Sequence, residues 1–143
     1  MRIYLFILVC SFWLISCDSL QRQTQSDKSI SIDLKSTKPN ESVLLDKDTV
    51  DLYYSSNKEF IVIKIARNQK LISDKKLTKD DFIEDAVKSK ESLSIDRLTS
   101  NGFDKNSNSF VFTIKFKSSN SKYSDIEAGF SIDLKGEFDL QQD

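Results

Sequence analysis

Three groups of side chains have the types and spacing that could carry chemistry. Asp46, Asp48 and Asp51 form a D-x-D-x-x-D cluster, and converging carboxylates of this kind suit a hard cation such as calcium. Lys47 intrudes, no glycine permits the sharp loop of an EF-hand and no glutamate closes it, so the cluster reads as a solvated turn and no metal site is predicted. Asp81 and Asp85 stand four residues apart, a spacing that could pair an acid with a base as in glycoside hydrolysis. Nothing nearby in the sequence would raise the pKa of either, and the pair reads as the wet face of a helix. Tyr53 and Tyr54 precede Ser55, Ser56, Asn57 and Lys58, joining aromatic area to adaptable polar groups as binding surfaces do. Tyr54 shares the alternation of Val50 and Leu52 and is assigned to the core. Tyr53 is left as the candidate contact residue. The chain has no histidine, which excludes His-based triads and His-rich zinc sites. No catalytic residue and no cofactor is predicted, and the chain reads as non-enzymatic.

A different chemistry is written at the N-terminus. Arg2 is followed by an apolar run from Ile3 to Ile15, which has the charge and length of a secretory signal peptide and is too short to span a membrane. The run closes on Leu14-Ile15-Ser16-Cys17, which resembles the lipobox of bacterial lipoproteins. The resemblance implies cleavage between Ser16 and Cys17, a thioether-linked diacylglycerol on Cys17 and a third acyl chain on its new amino group. At about 0.8 kcal/mol per buried methylene, two or three chains make a durable anchor where one would not. The implied partner is therefore a membrane, reached through the lipid on Cys17.

Loss of residues 1–16 removes Cys10 and the only tryptophan, Trp13, and among charged residues only Arg2, leaving 20 basic against 22 acidic side chains. No second thiol remains to pair with Cys17, so the mature chain must be stabilised by its core alone. Both charge signs are interspersed, which argues against nucleic acid as a partner. Residues 17–28 form the lipidated N-terminus and a polar tether, too poor in apolar groups to order itself. Asp18 resembles the signal that retains enteric lipoproteins in the inner membrane, a rule not expected to hold in spirochaetes.

Residues 29–143 are expected to form a single β-rich domain, and they must position whatever site exists. Ile30, Ile32 and Leu34 alternate with polar residues, as do Phe130, Ile132, Leu134, Phe138 and Leu140, so both segments read as strands with one wet face. Ser-Ile-Asp-Leu-Lys occurs at 31–35 and again at 131–135, which reads as shared strand chemistry rather than a duplication. Val50, Leu52 and Tyr54 mark another strand, Leu93 and Ile95 a short one, and Phe110, Phe112, Ile114 and Phe116 a strand with an aromatic face. Phe60 to Ala66 is apolar on nearly every position and belongs at a sheet centre or under a covering element. Residues 101–109 carry Asn101-Gly102 and further Asn and Ser, and read as a long exposed turn. Thr78 with Asp81 has the shape of a capping box, Phe82, Ile83, Ala86 and Val87 share a helical face, and residues 79–90 are read as a helix.

Six or seven strands and one short α-helix predict a mainly β fold, an antiparallel β-sandwich immunoglobulin-like in outline, the helix plugging one edge or end. The alternative is an α+β fold with a single antiparallel sheet and the helix on its face. The lipobox, the polar tether and a Lys, Ser, Asn, Ile and Asp-rich domain resemble the small surface lipoproteins of spirochaetes. That resemblance implies an outer-membrane, surface-exposed module that binds a protein partner, such as one of a host, in host interaction or immune evasion. The alternative is a periplasmic structural or assembly lipoprotein of the cell envelope.

Overall fold

The computed structural model describes residues 30–84 and 90–141. The cleavage site at Ser16, Cys17 and the tether lie outside these residues. Eight strands run in chain order as β1 (Glu41–Leu45), β2 (Asp48–Ser56), β3 (Phe60–Arg67), β4 (Lys70–Thr78), β5 (Leu93–Asp104), β6 (Ser109–Ser118), β7 (Ile126–Asp133) and β8 (Phe138–Gln141). They form two four-stranded antiparallel sheets of order β1-β2-β3-β4 (sheet A) and β5-β6-β7-β8 (sheet B). Each sheet is an uninterrupted meander, and the two pack face to face as a sandwich. The immunoglobulin outline holds for the two layers and not for the connectivity, because no strand crosses between the sheets in the Greek-key manner.

Alternation explains the interface. Val50 and Leu52 of β2 and Ile61, Ile63 and Ile65 of β3 face Phe110, Phe112, Ile114 and Phe116 of β6 and Phe130 and Ile132 of β7, all eleven fully buried. Burying each such side chain contributes about 1.5–3 kcal/mol, which makes this layer the main driving force of the fold. The aromatic face of β6 does more than fill space. Phe112 stacks on Phe130 with centroids 4.9 Å apart and planes 13° apart, while Tyr54 of sheet A meets Phe112 edge-on at 5.8 Å. Such offset and edge-to-face pairs suit the ring quadrupole and add about 0.5–1.5 kcal/mol each beyond burial.

The connection after β4 departs from expectation. Where a helix over 79–90 is expected, the described residues hold one 3₁₀ turn at Lys79–Asp81 and a second at Lys90–Ser92. The capping contact forms, with the Asp81 carboxylate accepting the Thr78 N–H at 2.7 Å. The helix does not continue into Phe82 and Ile83, because both side chains turn into the core. Phe82 sits 5.0 Å from Phe130, 5.5 Å from Phe138 and 5.7 Å from Phe116, and so joins the aromatic cluster of sheet B. Residues 85–89, which include Asp85, Ala86 and Val87, lie outside those described.

Four other differences have local causes. Residues 101–104 belong to β5, and the turn to β6 is only Lys105–Asn108; Asn101-Gly102 makes a bulge in which Gly102 takes φ +99°. The bulge absorbs the extra residue that the sequence shows as a turn signal. The alternation of 130–140 is split by a turn at 134–137, where Gly136 takes φ +84°, giving β7 and β8 rather than one strand. Strands β1 and β4, edge strands with weak or interrupted apolar alternation, carry no strong period-two signal and are absent from the expected set. Residues 30–34 join no ladder. They lie extended across the outer face of sheet A, where Ile32 is buried with Tyr53, Phe60, Val62 and Ala66, and Ile30 and Leu34 pack alongside. Inward alternation was the correct reading, but a chain crossing the face of a sheet meets side chains, since the backbone groups of that sheet point to neighbouring strands.

The two copies of Ser-Ile-Asp-Leu-Lys share turn chemistry. Asp33 accepts the Lys35 N–H at 3.0 Å and Asp133 accepts the Lys135 N–H at 2.8 Å, each just after a buried isoleucine. Gly136, in the second of these turns, lies so close to sheet A that a Cβ there would stand 2.5 Å from Ser73 Oγ. That hydroxyl is buried without a hydrogen-bond partner. An unsatisfied buried hydroxyl costs about 1–3 kcal/mol, so Ser73→Ala is expected to stabilise the full chain by roughly 1 kcal/mol in urea unfolding. Gly136→Ala combines the clash with a left-handed φ and is expected to lower stability by about 2 kcal/mol in the same measurement.

Candidate functional site

Four of the six hairpin turns fall at one end of the sandwich, because each sheet is a meander that starts at the opposite end. They are Asp46–Lys47, Asn68–Gln69, Lys105–Asn108 and the turn at 134–137. Their geometry is set by left-handed residues: Asp46 (φ 55°), Asn68 (φ 49°), Gln69 (φ 67°), Asn108 (φ 58°) and Gly136. Asn and Asp tolerate this region better than other side chains, which is why they cluster here.

Side chains then fix the turns to one another. Asn68 accepts the Thr49 N–H at 2.9 Å, donates its own N–H to the Thr49 carbonyl at 2.8 Å and donates its side-chain amide to Asp48 at 2.7 Å. One residue thus locks the β3–β4 turn to the start of β2. In sheet B, Asp104 accepts the Ser107 hydroxyl at 2.7 Å and the Asn106 N–H at 2.9 Å, and these bonds hold its carboxyl below the ordinary value of 3.8. Asp133 accepts the N–H groups of both Lys135 and Glu137 at 2.8 Å.

Between these braced turns lie two adjoining open hollows of about 320 and 440 Å³. Leu44, Leu45 and Phe103 wall the first, with Asp46, Asp48 and Lys105 at its rim. Ile72, Asp133 and Lys135 shape the second, and Arg67, Asn108 and Leu134 belong to both. The groove therefore draws on all four hairpins. Leu44 is 69 % exposed and Ile72 is 36 % exposed, which makes them two of the most exposed large apolar side chains described. Ile72 owes its position to the bulge opposite Ile65 and Ala66, which pushes one residue of β4 out of register.

The residues singled out from sequence are placed differently. Asp46, Asp48 and Asp51 do not converge: Asp51 accepts the Ser42 hydroxyl across the β1–β2 pair at 2.6 Å, while Asp48 is held by Asn68. Among the described residues no group of three or more His, Cys, Asp or Glu side chains could hold a metal ion. Asp81 serves as the cap of the 3₁₀ turn. Tyr53 is not a surface contact residue. It is 5 % exposed beneath Ile32, because sheet A is apolar on its outer face and the 30–34 segment covers it. Tyr54 takes the core side, as its alternation with Leu52 requires. Arg67, Leu44 and Ile72 carry no motif of their own in the sequence, and only the left-handed turn at Asn68 and Gln69 stands next to Arg67.

Compared with known proteins, the chain matches no family model, and neither a curated protein nor a solved structure resembles it closely enough to count as a match. Among the described residues no helix is long and apolar enough to cross a membrane.

The cover over Tyr53 gives a test. Burial, with the Asp51 carboxylate as a second cause, pushes the phenol above its ordinary value of 10.0. A raised acid pKa contributes stability that is intact below pH 10 and lost as pH climbs through the native value. Ile32→Asp should free the segment, cost about 2 kcal/mol of stability and return the Tyr53 ultraviolet titration to the ordinary range. An unchanged titration in that variant would show that the segment does not shield Tyr53.

Proposed function

We propose that this chain is a membrane-anchored, non-enzymatic protein-binding module, held through lipid on Cys17 at the outer membrane and exposed at the cell surface. The hairpin-end groove is its contact surface. The observation that carries the reading is the union of four hairpin turns around an open groove with exposed apolar walls, since side chains that a monomer would bury are kept in water there. The bracing by Asn68, Asp104 and Asp133 supports it. Ordering this surface in advance lowers the entropy lost when a partner docks. The groove occupies the end of the sandwich, and the segment entering the domain runs over the outer face of sheet A, so an anchored chain leaves the groove unobstructed by its own described residues.

Two measurements test it. Cys17→Ser should leave an unprocessed precursor without acyl label, and protease applied to intact cells should remove the wild-type domain; a domain spared by protease would instead favour an envelope assembly role on the periplasmic side. Leu44→Asp changes an exposed position, so stability should stay within about 0.5 kcal/mol. Retention of a surface partner in pull-downs should nevertheless drop at least tenfold. Equal retention by wild type and variant would move the contact surface away from the groove.

A further inference from the structure

Arg67, with Asn108 and Leu134, lines both hollows, and its guanidinium makes no hydrogen bond among the described residues. The nearest carboxylate, Asp48, stands 4.0 Å from Nε, beyond hydrogen-bond reach, and is already bonded to the Asn68 amide. Lys105 and Lys135 flank Arg67 on the two hairpins of sheet B, and neither has an ion-pair partner among the described residues. Formal charge around the groove is balanced, but hydrogen-bonding capacity is not. Asp133 and neighbouring Asp104 spend lone pairs on their own turns and Asp48 accepts the Asn68 amide, which leaves Asp46 as the one rim carboxylate without a bond among the described residues, against the three cationic side chains of Arg67, Lys105 and Lys135. An arginine fork between apolar walls matches a carboxylate with apolar neighbours.

We propose that the groove recognises an extended acidic segment of a partner protein. A glutamate or aspartate side chain seats on Arg67 between Lys105 and Lys135. The residue on one side packs against Leu44 and Phe103, and the residue on the other against Ile72 and Leu134. Because both hollows share Arg67, an occupant that fills both meets the arginine in mid-chain, which selects a side-chain carboxylate over a chain terminus. The inference rests on the binding-module reading and narrows it to one ligand chemistry.

The test uses the full chain in detergent and fluorescein-labelled peptides with blocked termini, Gly-Ser-Leu-Glu-Leu-Ser-Gly against the same peptide with Gln in place of Glu. Anisotropy titration should show the Glu peptide binding about tenfold tighter, with the difference shrinking as salt is raised. Arg67→Gln should abolish the discrimination, and Lys117→Gln, on the outer face of sheet B, should leave it intact. Equal binding of the two peptides, no binding of either, or discrimination that survives Arg67→Gln overturns the acidic-segment assignment. The effect of Leu44→Asp on partner retention is read separately, so the binding-module reading can stand where this narrower one fails.

Discussion

Strand β3 has no wet face, and the architecture follows from that constraint. Ile61, Ile63 and Ile65 must be buried on one side, and Phe60, Val62 and Ala66 on the other. A two-layer sandwich satisfies only the first set. The second is covered by the extended segment at 30–34, which adds a partial third layer built from Ile30, Ile32 and Leu34. Lys76 places its ammonium 4.1 Å from the Phe60 ring, so even the margin of this patch is shielded by a cation and its aliphatic stem. Without the segment, sheet A would present a contiguous apolar surface of the kind that drives association.

The same constraint bears on how the domain meets whatever precedes it. The chain does not leave sheet A freely at β1. It is held across the outer face by side-chain packing and by the Asp33 turn, whose carboxyl is kept below its ordinary value by the Lys35 N–H and the Ser36 hydroxyl. Asn40 then enters the ladder by donating its N–H to the Leu52 carbonyl at 2.8 Å and accepting the Tyr54 N–H at 2.8 Å. Within the described residues, the connection to the N-terminal side therefore has a defined path, and the hairpin end is left open. Four turns shape that open end, while Phe82 fills the aromatic cluster of sheet B.

Much of the fold was legible from local pattern. The aromatic face of β6, the two-sided burial of β3, the core placement of Tyr54 and the antiparallel two-layer arrangement all follow from period-two alternation. Alternation reports which side chains turn inward and says nothing of whether the backbone has a ladder partner, which is why 30–34 reads as a strand. Helical periodicity misled at 79–84 for a related reason: Phe82 and Ile83 are spaced as a helical face, yet both are buried in the core just after a 3₁₀ turn at Lys79–Asp81. Edge strands β1 and β4 escaped notice because half their positions face water, and their pairing is decided by β2 and β3.

The amino-acid sequence by itself determined the composition of the core. The alternating strands carry their inward faces in their own residues, so that part needs no knowledge of the fold. The tertiary structure alone decided the groove. Leu44, Arg67, Ile72, Lys105 and Lys135 come from four hairpins spread over the chain, and meet only because two meanders start at the same end and stack. It also decided that Tyr53 is covered. No local pattern encodes either fact, since each depends on which surfaces distant segments bury against one another.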